Sequence, residues 1–97
     1  MQQMTIALLC SVAAEAEALV SSMSVARTTE AGAKQFIEGS LADQKIVLCA
    51  GGMGKVNAAH ASTILLERQA ADAIIVFGIG GAYPSSGARI GDVVLAR

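Results

Sequence analysis

Aromatic residues are nearly missing from this chain: it has no tryptophan, one tyrosine and two phenylalanines, and only one proline. A core must therefore be built from Ala, Val, Ile and Leu. Charge is thin as well, at 15% of residues with a net of −1, and Lys and Arg do not cluster. That excludes nucleic-acid binding through a basic patch. No apolar run approaches the ~18 residues of a membrane helix, and Gly interrupts the longest one. The start, MQQMTIALLCSV, lacks the basic segment of a signal peptide. The two cysteines, Cys10 and Cys49, have no CxxC spacing. Each closes an expected strand and reads as a buried free thiol of a reducing, cytoplasmic compartment.

What the chain has in abundance is aliphatic carbon, with 54% hydrophobic residues in a length of 97. A chain of this size makes one domain or part of one, burying roughly 60–70% of its unfolded surface. So much apolar surface with so little charge points to area covered by a partner or by further chain. The stretch Ala73–Tyr83, AIIVFGIGGAY, concentrates both themes. AIIVF is a β-branched apolar run, as expected for a central strand of a parallel sheet buried on both faces. Gly78-Ile79-Gly80-Gly81-Ala82 then presents almost bare backbone at the carboxyl edge, where open α/β sheets bind ligands.

The remaining elements follow from pattern. Thr5–Cys10 is a buried strand. Ser11 is a candidate cap for a helix from Val12 to about Ser24, with Val12, Ala16, Leu19, Val20 and Met23 as its apolar stripe. Val25–Thr29 is a short strand candidate. Lys34–Glu38 and Lys45–Ala50 make a hairpin across a Gly39–Gln44 turn, so the sheet is mixed. Gly51-Gly52-Met53-Gly54-Lys55 turns into a helix over Val56–Gln69. Pro84–Gly87 is loop, and Val93–Ala96 starts another strand. No repeat or low-complexity segment is present.

Three features can carry chemistry. The glycine turn at 51–55 fails as an ATP phosphate cradle, because Cys49 replaces the first Gly and Val56 the hydroxyl residue. It remains either an anion-binding turn at a helix N-terminus or a tight structural turn. GIGGAY lacks the third Gly of a dinucleotide fingerprint, and a proline loop follows it instead of a helix. Glu15, in the first turn of the first helix, is expected at the same sheet edge as Gly78–Ala82. There it is a candidate general base or water-holding carboxylate. From position alone, a solvated glutamate favoured by the helix dipole is the simpler reading, and Glu17 fits that description better still. The single histidine, His60, reads as a helix-surface or interface residue.

Taken together, GGMGKVNAA, LLERQAADAIIVFGIGGAY and SGARIGDVVLA, with TIALLCSVAAEAEAL at the start, resemble the nucleoside phosphorylase/nucleosidase family. Within it the likeness is greatest to the futalosine hydrolases, with the methylthioadenosine/S-adenosylhomocysteine nucleosidases a near relative. The resemblance implies a mixed, twisted sheet in a three-layer α/β/α sandwich, assembled as a homo-oligomer. It also implies hydrolysis of a purine nucleoside through an oxocarbenium-like state, with no metal or organic cofactor. Glu15 matches the glutamate that orients the attacking water. Ser11 and Val12 match turn residues bordering the ribose and its 5′ side. Met53 matches a residue contacting the 5′ substituent. Ile79, Gly80 and Gly81 match the wall of the ribose and base pocket.

Two departures refine the expectation. Ile79 stands where nucleosidases acting on methylthioadenosine carry serine, which favours futalosine, cleaved to hypoxanthine and dehypoxanthinylfutalosine in menaquinone synthesis. CSVAAEAE lacks the arginine of the phosphorylase branch, so water rather than phosphate is the expected nucleophile. The family's ribose-binding glutamate and base-protonating aspartate have no counterpart before Arg97. Residues 1–97 are thus expected to be the N-terminal part of a single hydrolase domain, cut short and inactive alone. The alternatives are a methylthioadenosine/S-adenosylhomocysteine nucleosidase-like fragment or a non-catalytic nucleoside-binding half-domain.

Overall fold

The structure, a computed structural model, describes residues 3–96. The apolar runs TIALLC and QKIVLCA form strands β1 (Thr5–Cys10) and β4 (Gln44–Ala50), which pair in parallel at the middle of the sheet. Between them in sequence lie helix α1 (Ala13–Ser22) and strands β2 (Ser24–Ala31) and β3 (Lys34–Leu41); helix α2 (Lys55–Glu67) and strand β5 (Ala73–Val76) follow β4. The strand order is β2-β3-β4-β1-β5, with β2, β3 and β4 antiparallel in turn and β5 parallel to β1. The sheet is mixed, as expected.

Because side chains alternate across a strand, a continuous apolar run has two faces to bury. Ala7, Leu9, Val47 and Cys49 pack with Ala61, Ile64 and Leu65 of α2, and Leu8, Cys10, Ile46 and Leu48 pack with Ala16 and Met23 beside α1. One helix thus covers each face, giving the three α/β/α layers. Cys10 and Cys49 are both buried and free. They lie on opposite faces of adjacent strands, so no disulfide can join them. No helix among the described residues is long and apolar enough to cross a membrane.

Several expectations are corrected. AIIVF is not central among the described residues: β5 has a neighbour there, β1, on one side only, and Ile75 and Val76 are 50% and 71% exposed. An apolar run shows that a strand has two apolar faces, not where in a sheet it stands. Val93–Ala96 forms no strand; Val93, Val94 and Leu95 lie exposed with no ladder partner among the described residues. The Gly39–Gln44 turn shrinks to Ala42-Asp43, because β3 runs on to Leu41 and β4 begins at Gln44. Gly39 falls inside β3 because the carbonyl of Ser24 fills the place of a side chain there. Ser11 does not cap α1: Val12 is the N-cap residue, with no side-chain cap. Val12 itself is exposed, although Ala16 and Met23 of its expected stripe are buried.

Both hairpin turns use residues at positive φ: Gly32 and Ala33 (57° and 63°) between β2 and β3, Ala42 and Asp43 (49° and 64°) between β3 and β4. This is the type I′ pattern, which needs positive φ at both central positions, and Asn-Gly meets the requirement best. Ala pays a steric penalty of order 1 kcal/mol there. The double substitution Ala42→Asn with Asp43→Gly should therefore raise stability by about 1 kcal/mol, measured as a shift in the denaturant midpoint at constant slope. No shift would mean that the turn relaxes at no cost.

Candidate functional site

Parallel pairing on both sides of β1 brings three strand ends to one edge. The ladder continues past the strands: Gly51 N–H donates to Cys10 O and Gly52 N–H to Ser11 O, both at 2.9 Å, while Phe77 N–H donates to Leu9 O at 2.9 Å. The turn Ser11-Val12 therefore sits between the glycine turn after β4 and the Gly78-Ile79 backbone after β5.

Glu15 lies at the third position of α1, and its carboxylate ties two of these turns together. Oε1 accepts from the N–H groups of Ser11 and Val12, each at 3.2 Å, and Oε2 accepts from Ile79 N–H at 2.9 Å. The contact to Val12 is the backward half of a capping box, since the third helical residue reaches the N-cap amide. The contact to Ile79 spans 64 residues of sequence and is not part of any cap. Gly78 makes it possible: a Cβ there would stand 2.7 Å from Oε2. The bond from Ile79 N–H is the largest cause of a lowered Glu15 pKa, followed by that from Val12; partial desolvation opposes them, and Ser11 adds a smaller lowering. Hydrogen bonds to the charged form favour ionisation, so Glu15 is a carboxylate at neutral pH. The description of Glu15 as a freely solvated residue thus gives way to one in which both oxygens are engaged.

The other expected site residues are placed as follows. Ser11 and Val12 meet Glu15 through their backbones, and Ile79 does so through its N–H while its side chain is 88% exposed. Gly80 and Gly81 continue in an exposed irregular segment, with nothing within 4 Å of where a side chain would begin. Met53 sits on the glycine turn with an exposed side chain; no hydrogen bond links it to Glu15. Two residues escaped the sequence reading. Lys34 Nζ donates to Gly51 O at 2.6 Å and to Asn57 Oδ1 at 3.0 Å, and Asn57 Nδ2 donates to Met53 O at 2.8 Å. The four-residue spacing of Met53 and Asn57 is a local signal that could have exposed the second. Nothing near Lys34 in sequence announces its partners.

A groove of about 490 Å³ opens beside this edge, between α1 and β3, with Ser11, Lys34, Gly51 and Asn57 on its polar side and Val20, Ile37 and Leu48 on its apolar side. Cys10 lies beneath the turn, its Sγ 3.5 Å from Val12 O. Burial first, and the Glu15 charge second, push its thiol pKa up, so it is neutral and a poor nucleophile. Among the described residues no three His, Cys, Asp or Glu side chains gather as metal ligands.

Comparison with known proteins bears on this edge. The sequence model of a family described as the phosphorylase superfamily matches residues 5–97. A 5′-methylthioadenosine/S-adenosylhomocysteine nucleosidase of Shewanella piezotolerans is 40% identical over 78 residues, 80% of this chain and 34% of the relative. The solved S-adenosylhomocysteine nucleosidase of Streptococcus pyogenes, in complex with 5-methylthiotubericidin, superposes with a TM-score of 0.83 at 30% identity, over 91% of this chain and 37% of that one. The futalosine hydrolase of Helicobacter pylori superposes with a TM-score of 0.74 at 18% identity, over 80% of this chain and 34% of that one; that likeness carries the fold alone. The chain spans about a third of the length of these relatives.

The Glu15 contacts make a prediction about pH. A folded-state pKa below the unfolded one stabilises the fold above the unfolded value, and that stabilisation is lost as pH falls through the folded value. The window thus lies below about pH 4.5. Gly78→Ala should push the flexible carboxylate off Ile79 N–H and move the Glu15 midpoint back up, as followed by NMR of the carboxyl carbon. An unchanged midpoint would show that Ile79 does not set it.

Proposed function

The chain belongs to the phosphorylase superfamily, and on that premise we propose that it forms the N-terminal part of a single-domain purine nucleoside hydrolase with Glu15 as the residue that holds the attacking water. The observation that carries the proposal is the triple engagement of the Glu15 carboxylate by Ser11, Val12 and Ile79 N–H groups. A carboxylate has about four lone-pair sites. Three are taken by fixed backbone donors, which leaves room for one water and fixes the direction in which it is held. The same donors make Glu15 a weak base. Its contribution is to orient and polarise water, and to place negative charge near a sugar that turns cationic as the glycosidic bond breaks. Full proton abstraction comes late, when the water has become a strong acid.

Around this group, Ser11 and Val12 border the ribose and its 5′ side, Met53 meets the 5′ substituent, and Ile79, Gly80 and Gly81 form a wall for ribose and base. The exposed apolar edge at Ile75 and Val76 supports a full protein in which further chain covers it or a second copy does, the latter as a homo-oligomer. The free thiols support a cytoplasmic setting. The relatives' identity favours a 5′-thio-substituted adenine nucleoside as substrate. A second reading, futalosine, rests on one specific observation: Ile79 removes a hydroxyl from the wall next to Glu15.

In the full-length protein that contains this chain, Glu15→Gln should lower turnover about 10²–10⁴-fold while nucleoside binding persists, as read by base release and by equilibrium titration. Turnover within twofold of the parent would return Glu15 to a capping role. Base release from methylthioadenosine and from futalosine, each with parent and Ile79→Ser proteins, separates the two substrate readings. A preference for futalosine that Ile79→Ser reverses would establish the second, and a preference for methylthioadenosine in the parent would establish the first.

A further inference from the structure

We infer that Lys34 and Asn57 are positioning residues that fix the glycine turn Gly51–Gly54, and with it Met53, at the sheet edge. This rests on the reading that a nucleoside binds there.

The turn needs such a brace. Gly52 and Gly54 are held at φ of 98° and 90°, in a region where only the backbone's own contacts select a conformation. Its backbone is anchored at its root by Gly51 and Gly52 N–H, but the next residues have little to hold them. Gly54 is the N-cap of α2, without a side-chain cap and with open space around it, and the Met53 side chain is 74% exposed. The Asn57 amide is used from both ends: Oδ1 accepts from Lys34 and Nδ2 donates to Met53 O. It also lies against Gly52, where a Cβ would stand 2.9 Å from Nδ2. Lys34 closes the arrangement from outside, crossing from the start of β3 to Gly51 O at 2.6 Å. An ammonium group donating to a carbonyl and to an amide oxygen makes charge-assisted hydrogen bonds, stronger than neutral ones. The brace thus has one end on the β2–β3 hairpin and the other on the residue that faces the 5′ side of the sugar.

The brace differs from a simple fastening of the hairpin in what its loss should move. In the full-length protein, Lys34→Met keeps the aliphatic stem and removes the donor, while Asn57→Asp keeps an acceptor for Lys34 and removes the donor to Met53. Both should speed amide exchange at Gly52 and Ala58 about tenfold, the order set by losing one such bond, with β1 and β4 amides unchanged. Both should raise KM for a 5′-substituted nucleoside about tenfold with kcat within threefold, and leave inhibition by the free purine base unchanged, since the base does not reach Met53. Lys34→Arg should restore much of the exchange protection. Unaltered exchange at the turn in both variants overturns the inference, as does altered exchange with an unaltered KM. A parent protein that hydrolyses no purine nucleoside sinks the hydrolase reading and the catalytic half of this inference, while amide exchange still decides whether the brace holds the turn.

Discussion

The parallel register of β4, β1 and β5 is the constraint on which everything at this edge depends. A parallel ladder aligns strand ends, and β1 is paired on both sides, so the residues after all three strands arrive together. Glu15 can then accept an N–H from a segment 64 residues away without any long side-chain reach. Shift β5 by one residue and its side chains change faces, Ile79 N–H no longer points at the carboxylate, and the site dissolves. The burial of Leu8, Leu9, Val47 and Leu48 is what holds that register. The chemistry at the edge is therefore underwritten by plain aliphatic packing a few residues below it.

The elements legible in the sequence were those with strong local patterns. TIALLC and KIVLCA read as buried strands because short, continuous apolar runs bounded by turn signals suit strands buried on both faces. The β3–β4 hairpin and both helices were legible for similar reasons, to within a few residues at their ends. The juxtaposition of Glu15 with the Gly78 backbone was foreseeable from topology alone. What stayed illegible is instructive. The edge position of β5 depends on neighbours that no local pattern encodes, and AIIVF looks the same at an edge or a centre. The turn expected over Gly39–Gln44 proved tighter than it read, at Ala42-Asp43, because neither residue is the Gly that usually marks a two-residue turn. Lys34 was invisible because its partners, Gly51 and Asn57, lie 17 and 23 residues on. Long-range polar contacts of this kind leave no periodicity to read.

Substrate choice shows the same division. Family membership rests on nearly the whole chain, whereas the two substrate readings proposed above differ at one exposed residue, Ile79, whose N–H meets the Glu15 carboxylate. A substitution at an exposed position such as 79 changes the groups presented at the sheet edge without disturbing any strand. Relatives with the same fold therefore need not share a substrate.

The β2–β3 hairpin has one further consequence. Most of β2 is exposed along both faces, while β1 and β4 are enclosed by helices. Opening free energies within a fold scale with such enclosure. Among the paired strands the β2–β3 hairpin is the least enclosed, so it is expected to open on excursions that leave β1 and β4 intact. Since Lys34 begins β3 and bonds Gly51 O and Asn57 Oδ1, each excursion also releases the glycine turn from that contact. The conformation of the glycine turn is thus coupled to a ribbon on the far side of β4, and conditions well below the unfolding transition that open the ribbon act on the turn as well.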